Sequence, residues 1–420
     1  MADPPDESGF PDLSGLFSGA AGGGEETGPV NWEVTRQVAR AVSGGGQPEL
    51  AAAAGDPGME GIVRAAEMAL HRAGAIGASD VPTVRVPSRP QWAEETIESL
   101  KPFIERMARR IDATGSPLGL GGTVVMGGPE AGSPEENALG LDAPGVAEAM
   151  KAVQAFMRPL APIFMGFQMG MVLGFVATRA LSQYDLCLPR AGGASISILA
   201  GNVDHVASEA GVPVDEMRLW VALHEMVHHA EFAIPWVRDR VRGLLEAYLD
   251  SIRLDLTDLQ EHLSDLDPMN PDSLQRFAEQ TEGQLGRFVR TDQPDVLESV
   301  LTVLSLLEGY ADHMVSVAGG VLVPHSGEIA GAMDRRGAEA GEAGRLLEGL
   351  LGIELPPARI EEGRLFCAAV AGEVGTEGLN RMWEALDSFP TREELSRPAG
   401  WTERMSRTPP GGVFGGSAGE

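Results

Sequence analysis

Two histidines lie four residues apart in the stretch WVALHEMVHHAEF (220–232), and a glutamate follows the first of them. Residues four apart on a helix differ by about 40° in direction, so His224 and His228 share one face, one turn apart. Two imidazoles placed in this way can hold one zinc ion at ~2.0–2.1 Å. Glu225 points to the side of that face, where it can meet a water at the metal. The spacing therefore predicts a helical zinc site with a carboxylate base.

A catalytic zinc site needs a third protein ligand and leaves the fourth position for water. Carboxylates are plentiful in the chain, and four other histidines are candidates for the third ligand: His205, His262, His313 and His325. His229 and His313 are weaker candidates, because each points away from the predicted ligand beside which it lies. We expect His229 to lie on the helix surface or to contact a zinc ligand without binding the metal itself.

The stretch DVLESVLTVLSLLEGYADHMVSVAGG (295–320) predicts a long helix with an apolar stripe. Glu308 falls inside that stripe, where an unpaired carboxylate would cost several kcal/mol. A zinc ion would remove this cost, and so would a salt bridge to Arg179 or Arg218. Asp312 follows one turn later, where it can accept a hydrogen bond from the second nitrogen of a ligating imidazole.

The composition restricts the classes of partner. The chain carries 61 acidic and 32 basic residues, a formal net charge of -29. Nucleic acids and anionic membranes need concentrated Lys and Arg, so neither is expected as a partner. Cys187 and Cys367 are far apart, lie in no C-x-x-C pair, and predict neither a disulfide framework nor a structural zinc cluster. With an N-terminus that lacks secretory features, this indicates a cytoplasmic protein.

The periodicity of the chain is mostly helical, with two short strand candidates, PTVRVP (82–87) and ASISILAG (194–201). We therefore expect a mainly α fold with a small β element. Its predicted units follow from composition. They are a disordered acidic arm at 1–28, a helical domain at 29–400 with a Gly-rich loop at 113–145, and a disordered tail at 401–420.

The stretch PLAPIFMGFQMGMVLGFVA (159–177) has no charge and carries Gly166, Gly170 and Gly174 at intervals of four. A membrane-spanning helix is one interpretation. Prolines near its start, an internal glutamine and the absence of flanking basic clusters favour a buried helix instead. The glycines would then allow close packing against another helix.

These motifs resemble those of known metallopeptidases. HEMVHH followed by EGYADHM is similar to the gluzincin arrangement, in which H-E-x-x-H precedes an E-x-x-x-D helix. More closely, the chain resembles the actinobacterial-type zincin-like metallopeptidases, also labelled hydrolases or deazaflavin-coenzyme-biosynthesis-associated proteins. The resemblance covers roughly 150–390 and is carried by five stretches: GFVATRALSQYDLCLP (174–189), RLWVALHEMVHHAEF (218–232), PWVRDRV (235–241), LLEGYADHM (306–314) and EGRLFCAAVAGEVGTEGLNRMWE (362–384).

The resemblance implies a zincin-like metallopeptidase domain that binds Zn²⁺. His224, His228 and Glu308 would be the zinc ligands, Glu225 the general base and Asp312 the supporting acid. A long acidic insert between His228 and Glu308 departs from the thermolysin-like spacing.

The implied function is zinc-dependent hydrolysis of a peptide or small amide. The donor that would stabilise the oxyanion stays open among four residues: Tyr310, His313, Tyr248 and Arg238. The alternative is a non-catalytic zincin-fold protein with a structural zinc or a partner-binding role. The sequence indicates no oligomeric state.

Overall fold

The structure is a computed structural model of the 420-residue chain. It describes residues 28–44, 57–77, 82–113, 161–190, 195–254, 289–320, 322–339, 353 and 355–408.

Helices dominate these residues, as the periodicity predicts. The helices in chain order are α1 (Trp32–Gly44), α2 (Pro57–Arg72), α3 (Arg89–Ala113), α4 (Ala161–Arg179), α5 (Ala200–Ala210), α6 (Val214–Ala233), α7 (Pro235–Ser251), α8 (Pro294–Gly319), α9 (Ser326–Glu339), α10 (Pro357–Asn380), α11 (Arg392–Ser396) and α12 (Pro398–Arg407). The strands are β1 (Thr83–Arg85), β2 (Ser195–Ser197), β3 (Ile252–Leu254) and β4 (Val289–Thr291). The mainly α fold with a small β element is confirmed.

The β element consists of two short pairs of strands. The two predicted strands pair with each other: β1 and β2 run parallel, with Val84 opposite Ile196. The other two, β3 and β4, are antiparallel, with Arg253 opposite Arg290. Ser182, just after α4, forms an isolated antiparallel bridge with Ile198. This bridge ties the chain segment that follows α4 to the end of β2.

Helix α4 packs closely against α1 through its three spaced glycines. A Cβ added at Gly166 would lie 2.3 Å from the carbonyl oxygen of Asn31, and one added at Gly170 or Gly174 would meet α1 in the same way. Since a Cβ cannot approach backbone atoms so closely, only glycine permits this separation. Within the described residues no helix is long and apolar enough to cross a membrane. The packing supports the interpretation of α4 as a buried helix.

Helix α6 carries the two predicted histidine ligands and is flanked by Pro213 and Pro235. It begins after Pro213 and ends at Ala233, before Pro235, which occupies the first turn of α7. Proline is favoured at that position because its missing N–H would have no partner there. Most of the second half of α6 is buried, from Val221 to Phe232, apart from His224. The helix is therefore a core element and not a solvated surface helix.

Helix α8 is anchored to α10 by two facing glycines. A Cβ at Gly363 would lie 1.9 Å from the carbonyl oxygen of Ser305, and a Cβ at Gly309 would lie 2.3 Å from the carbonyl carbon of Gly363. The two backbones are thus in direct contact one residue away from Glu308. This contact sets how far α8 projects Glu308 toward α6, against which α8 also packs.

The C-terminal boundary of the domain differs from the prediction. Residues 401–407 were expected in a disordered tail, but they belong to α12, and Trp401 is only 1 % exposed. The Trp401 indole N–H donates to the carbonyl of Ser388, and its ring packs edge-on against Phe366. Aromatic burial therefore extends the folded part past residue 400. The predicted arm, apart from Gly28, nearly all of the 113–145 loop and the end of the tail lie outside the described residues.

Candidate metal centre

Two helices bring the three predicted ligands together. The His224 and His228 rings on α6 lie 4.6 Å apart between centroids and are nearly perpendicular, at 80°. From α8, Oε2 of Glu308 lies 3.5 Å from Nε2 of His224 and 3.6 Å from Nε2 of His228. Two atoms bound tetrahedrally to one zinc at ~2.0–2.1 Å lie roughly 3.3–3.4 Å apart. The separations observed between these donor atoms are close to that spacing.

The salt bridge considered for Glu308 is not formed with either arginine. Arg218 donates two hydrogen bonds of 2.7 Å to Asp204, and the Arg179 guanidinium lies over the ring of Phe175. Glu308 faces the two imidazoles instead. Burial raises the pKa of Glu308, but His228 and His224 lower it by more, so its pKa is well below the usual range.

A buried carboxylate orients His228. Oε2 of Glu231 lies 2.7 Å from Nδ1 of His228, and both side chains are fully buried. A carboxylate acceptor at Nδ1 holds the proton on that nitrogen and leaves the lone pair of Nε2 free to bind a metal. Burial raises the pKa of Glu231 to about 7, although the imidazole of His228 opposes this shift. The acid at the second nitrogen of a predicted imidazole ligand is therefore Glu231, which the sequence analysis did not identify.

Asp312 does not have the predicted geometry. Its Oδ1 lies 3.8 Å from Nε2 of His224, which is the same nitrogen that faces Glu308. The prediction placed Asp312 at the second nitrogen of an imidazole. Because α8 runs along the Nε2 side of His224, Asp312 adds negative charge on the metal-facing side of the ring. Burial raises the pKa of Asp312, and His224 lowers it by less.

Glu225 is fully buried beside the two histidines. Its Oε2 accepts a 3.2 Å hydrogen bond from the backbone N–H of Tyr184. Its Oε1 has no hydrogen-bond partner among the described residues. Burial raises the pKa of Glu225 to about 7, although the nearby Ser182 hydroxyl and the Tyr184 N–H oppose this shift. One oxygen is thus held in place while the other is free to exchange a proton near neutral pH.

The charges of the cluster fit a bound cation. Glu225, Glu231 and His228 are buried, and each has one polar atom without a partner among the described residues: Oε1, Oε1 and Nε2. Burial lowers the pKa of His228, but Glu308 and Glu231 raise it by more. Buried polar atoms without partners and buried carboxylates are both costly. A divalent cation held by His224, His228 and Glu308 would remove much of that cost.

Cys187 is an additional donor that the sequence analysis did not place here. Its thiol, Nε2 or Nδ1 of His228 and an oxygen of Glu308 all lie within 4.8 Å of one another. Burial, followed by the charge of Glu308, raises the pKa of Cys187 well above its ordinary value. Cys187 lies in no metal-binding sequence motif, so its position depends on the path of the chain between α4 and β2.

The other histidines lie elsewhere or have other contacts. His205 pairs with the exposed Glu209, and His325 with Glu216, while His262 lies outside the described residues. His229 is 3 % exposed, so its predicted surface position is wrong; the burial of both sides of α6 explains the difference. Burial also lowers the pKa of His229 and of His313.

Tyr310 is committed to packing and is not available as an oxyanion donor. Its side chain is fully buried, and its hydroxyl donates to Oδ1 of Asn380 over 2.7 Å. The same hydroxyl accepts a 3.0 Å hydrogen bond from the backbone N–H of Ile76. Tyr248 is also buried in the core, at 2 % exposure. These contacts make Tyr310 part of the framework that supports α8.

Comparisons with known proteins agree with the fold. A family model described as zincin-like metallopeptidase matches residues 30–402. A crystal structure from Chloroflexus aurantiacus, described as a candidate hydrolase with a novel fold, shares 23% sequence identity. The match spans 90% of this chain and 100% of the Chloroflexus chain, with a TM-score of 0.59. At this sequence identity the likeness establishes the fold alone. A search among proteins of curated function found no match. Because the family model spans most of the chain, the protein belongs to the zincin-like metallopeptidase family.

Proposed function

We propose that the protein is a zinc-dependent hydrolase of peptide or small amide bonds. His224, His228 and Glu308 would hold the zinc ion, and Glu225 would act as the general base. The observation that carries the proposal is the convergence of Glu308 from α8 on the Nε2 atoms of both α6 histidines. Membership of the metallopeptidase family supports the same reaction class.

The chain's own residues supply proton transfer and orientation. When bound, zinc would act as a Lewis acid and lower the pKa of a water molecule toward ~7. Glu225 would accept a proton from that water at Oε1 and return it to the leaving nitrogen. A carboxyl group whose pKa is about 7 can do both near neutral pH. The Tyr184 N–H holds Oε2, so the carboxylate keeps its orientation while the proton moves.

The second candidate is a non-catalytic protein with a structural zinc ion. Its specific support is Cys187, because structural zinc sites commonly have four protein ligands that include cysteine. A base beside the metal has no purpose in such a site. Since Glu225 is buried, oriented and left with one unpaired oxygen, the catalytic proposal accounts for more of the cluster.

The first test is zinc per chain, measured by elemental analysis after dialysis. We expect one zinc in the wild type, a large loss in Glu308→Ala, and no loss in Asp295→Ala, whose side chain is exposed on the same helix. A folded wild type that binds no zinc after growth with zinc supplied would overturn the proposal.

Activity distinguishes the two candidates. The zinc-loaded wild type would be screened for cleavage of a peptide library and of simple acyl amides. Glu225→Gln keeps the size of the side chain but cannot accept the proton, so it should retain zinc and lose activity. Hydrolysis at the wild-type rate in Glu225→Gln would remove Glu225 from the role of base.

A further inference from the structure

Residues 180–190, which follow α4, place the thiol of Cys187 at the candidate metal centre. We propose that Cys187 is a fourth protein ligand of the same ion, which closes the resting site by occupying the position that a water molecule would need. This inference rests on the proposed function and concerns its regulation. It uses a residue outside the H-E-x-x-H and Glu308 ligand set.

The thiol lies on the same side of the cluster as the two best-buried donors. Its sulfur is within 4.8 Å of the ligand atoms of His228 and Glu308. Sulfur and nitrogen on one tetrahedral zinc lie roughly 3.5 Å apart, given bond lengths of ~2.3 and ~2.0 Å. The 4.8 Å limit exceeds this spacing by roughly 1.3 Å, so small side-chain shifts would bring Cys187 to the ligand distance from His228 and Glu308.

A second observation points to a ligand at this place. His228 is fully buried, and its Nε2 has no hydrogen-bond partner among the described residues. Glu231 occupies the other nitrogen of the ring. The lone pair of Nε2 is thus directed into a buried space that Cys187 and Glu308 also line. Such an atom is normally paired, and an ion shared by the three side chains would pair it.

The backbone conformation of Cys187 is unusual. It has a φ of 47°, and it is the one non-glycine residue with positive φ in the described part of the chain. L-residues seldom adopt this left-handed conformation, and it persists only where the surroundings determine it. Here the Cys187 N–H donates to the carbonyl of Tyr184 over 2.7 Å. This turn brings the thiol back toward the cluster.

Polar contacts hold residues 181–185, just before Cys187, in position. The Asp185 carboxylate accepts hydrogen bonds from the Leu181 N–H and the Ser182 hydroxyl at its base. Arg336 on α9 donates to the same carboxylate over 3.0 Å and bridges the segment to a distant helix. Tyr184 donates to Glu225. The residues that hold Cys187 at the cluster are therefore continuous with the residue that orients Glu225.

The test is the spectrum of the protein loaded with Co²⁺ in place of zinc. A cysteine ligand produces a sulfur-to-cobalt charge-transfer band in the near ultraviolet. We expect this band in the wild type and in Cys367→Ala, the matched control, because Cys367 is the other cysteine and is also buried. Cys187→Ala should lose the band and bind zinc at least about tenfold more weakly. Circular dichroism would show that both variants are folded.

A second readout tests closure of the site. Acetohydroxamate, a small metal-binding ligand, should change the visible spectrum of Co²⁺-loaded Cys187→Ala and leave that of the wild type unchanged. One Co²⁺ bound to the wild type without the sulfur band would overturn the role of Cys187 and leave the proposed hydrolase standing. Failure of the wild type to bind either metal would overturn both.

Discussion

Glu231 orients the imidazole of His228, which lies three residues earlier on α6. Oε2 of Glu231 lies 2.7 Å from Nδ1 of His228. Both side chains are completely buried. The pairing leaves Nε2 of His228 directed at Glu308 and Cys187. About two turns of α6 thus contain a proposed ligand, the acid that orients it and the proposed base, Glu225.

We expect Glu231→Gln to weaken zinc binding by about 10- to 100-fold, because a neutral amide supports the ligating imidazole less well than a carboxylate. The measurement is a competition titration with a chromophoric chelator. Glu209→Gln is the matched control, since Glu209 also lies near a histidine on a helix but is exposed. Equal affinities of Glu231→Gln and the wild type would show that the pairing does not support the metal.

Tyr310→Phe should destabilise the protein by about 1–3 kcal/mol, because the Ile76 N–H loses its acceptor and Oδ1 of Asn380 loses its donor. Urea unfolding measures this loss. Zinc content should not change, since the hydroxyl points away from the centre toward these two residues. A loss of activity at unchanged stability would instead place Tyr310 in the reaction.

Gly363→Ala should destabilise the contact between α8 and α10, because the new Cβ would lie 1.9 Å from the carbonyl oxygen of Ser305. Overpacking of this kind costs about 1–3 kcal/mol or more. Zinc affinity should fall as well, since a displaced α8 carries Glu308 with it.

The matched control for this substitution is Gly372→Ala on the same helix, where an added Cβ meets nothing within 4 Å. Helix propensity predicts a gain of up to about 1 kcal/mol there. Thermal unfolding compares the two variants. If Gly363→Ala left the unfolding temperature unchanged, α8 and α10 would be able to move apart without a loss of stability.

Glu394→Gln tests the dependence of stability on pH. Burial raises the pKa of Glu394, but two hydrogen bonds from Arg404 and one from the Thr391 N–H lower it by more. A lowered folded-state pKa stabilises the protein above the unfolded value of about 4.3, and the benefit disappears as pH falls through the folded value. The variant should therefore be less stable than the wild type at pH about 7, with a gap that narrows in acid.

Urea unfolding at neutral pH and at an acidic pH measures the difference in the free energy of unfolding between the variant and the wild type. Glu393→Gln is the control, because Glu393 is exposed on the same helix. Glutamine can still serve in the capping box with Thr391, so the comparison isolates the charge. A gap that widens in acid would contradict the role of the ionised carboxylate.

Several features of the fold follow from local patterns. The end of α6 before Pro235 is a local signal, because proline acts through backbone geometry. The packing role of Gly166, Gly170 and Gly174 is also readable from their spacing. The helix in residues 401–407 was missed because burial of Trp401 depends on partners distant in the chain.

In the candidate site too, some features follow from local spacing and others depend on tertiary packing. Glu231 lies three residues after His228, so helical spacing alone could have indicated it. Asp312 shares a helix face with Glu308, but which nitrogen of His224 it meets depends on how α8 packs against α6. Cys187 has no spacing relationship to the histidines. It reaches them only because the chain after α4 folds back with a left-handed residue.

By itself, the amino-acid sequence determined the helical class, the one-face placement of His224 and His228, and the position of Glu225 beside them. These features depend on the 3.6-residue period, which operates within one helix. The tertiary structure decided that Glu308 meets both imidazoles, that Glu231 and not Asp312 meets the second nitrogen of a predicted ligand, and that a thiol faces the cluster. Those outcomes depend on the separation and rotation of packed elements, which glycine contacts and buried side chains set and no local pattern encodes.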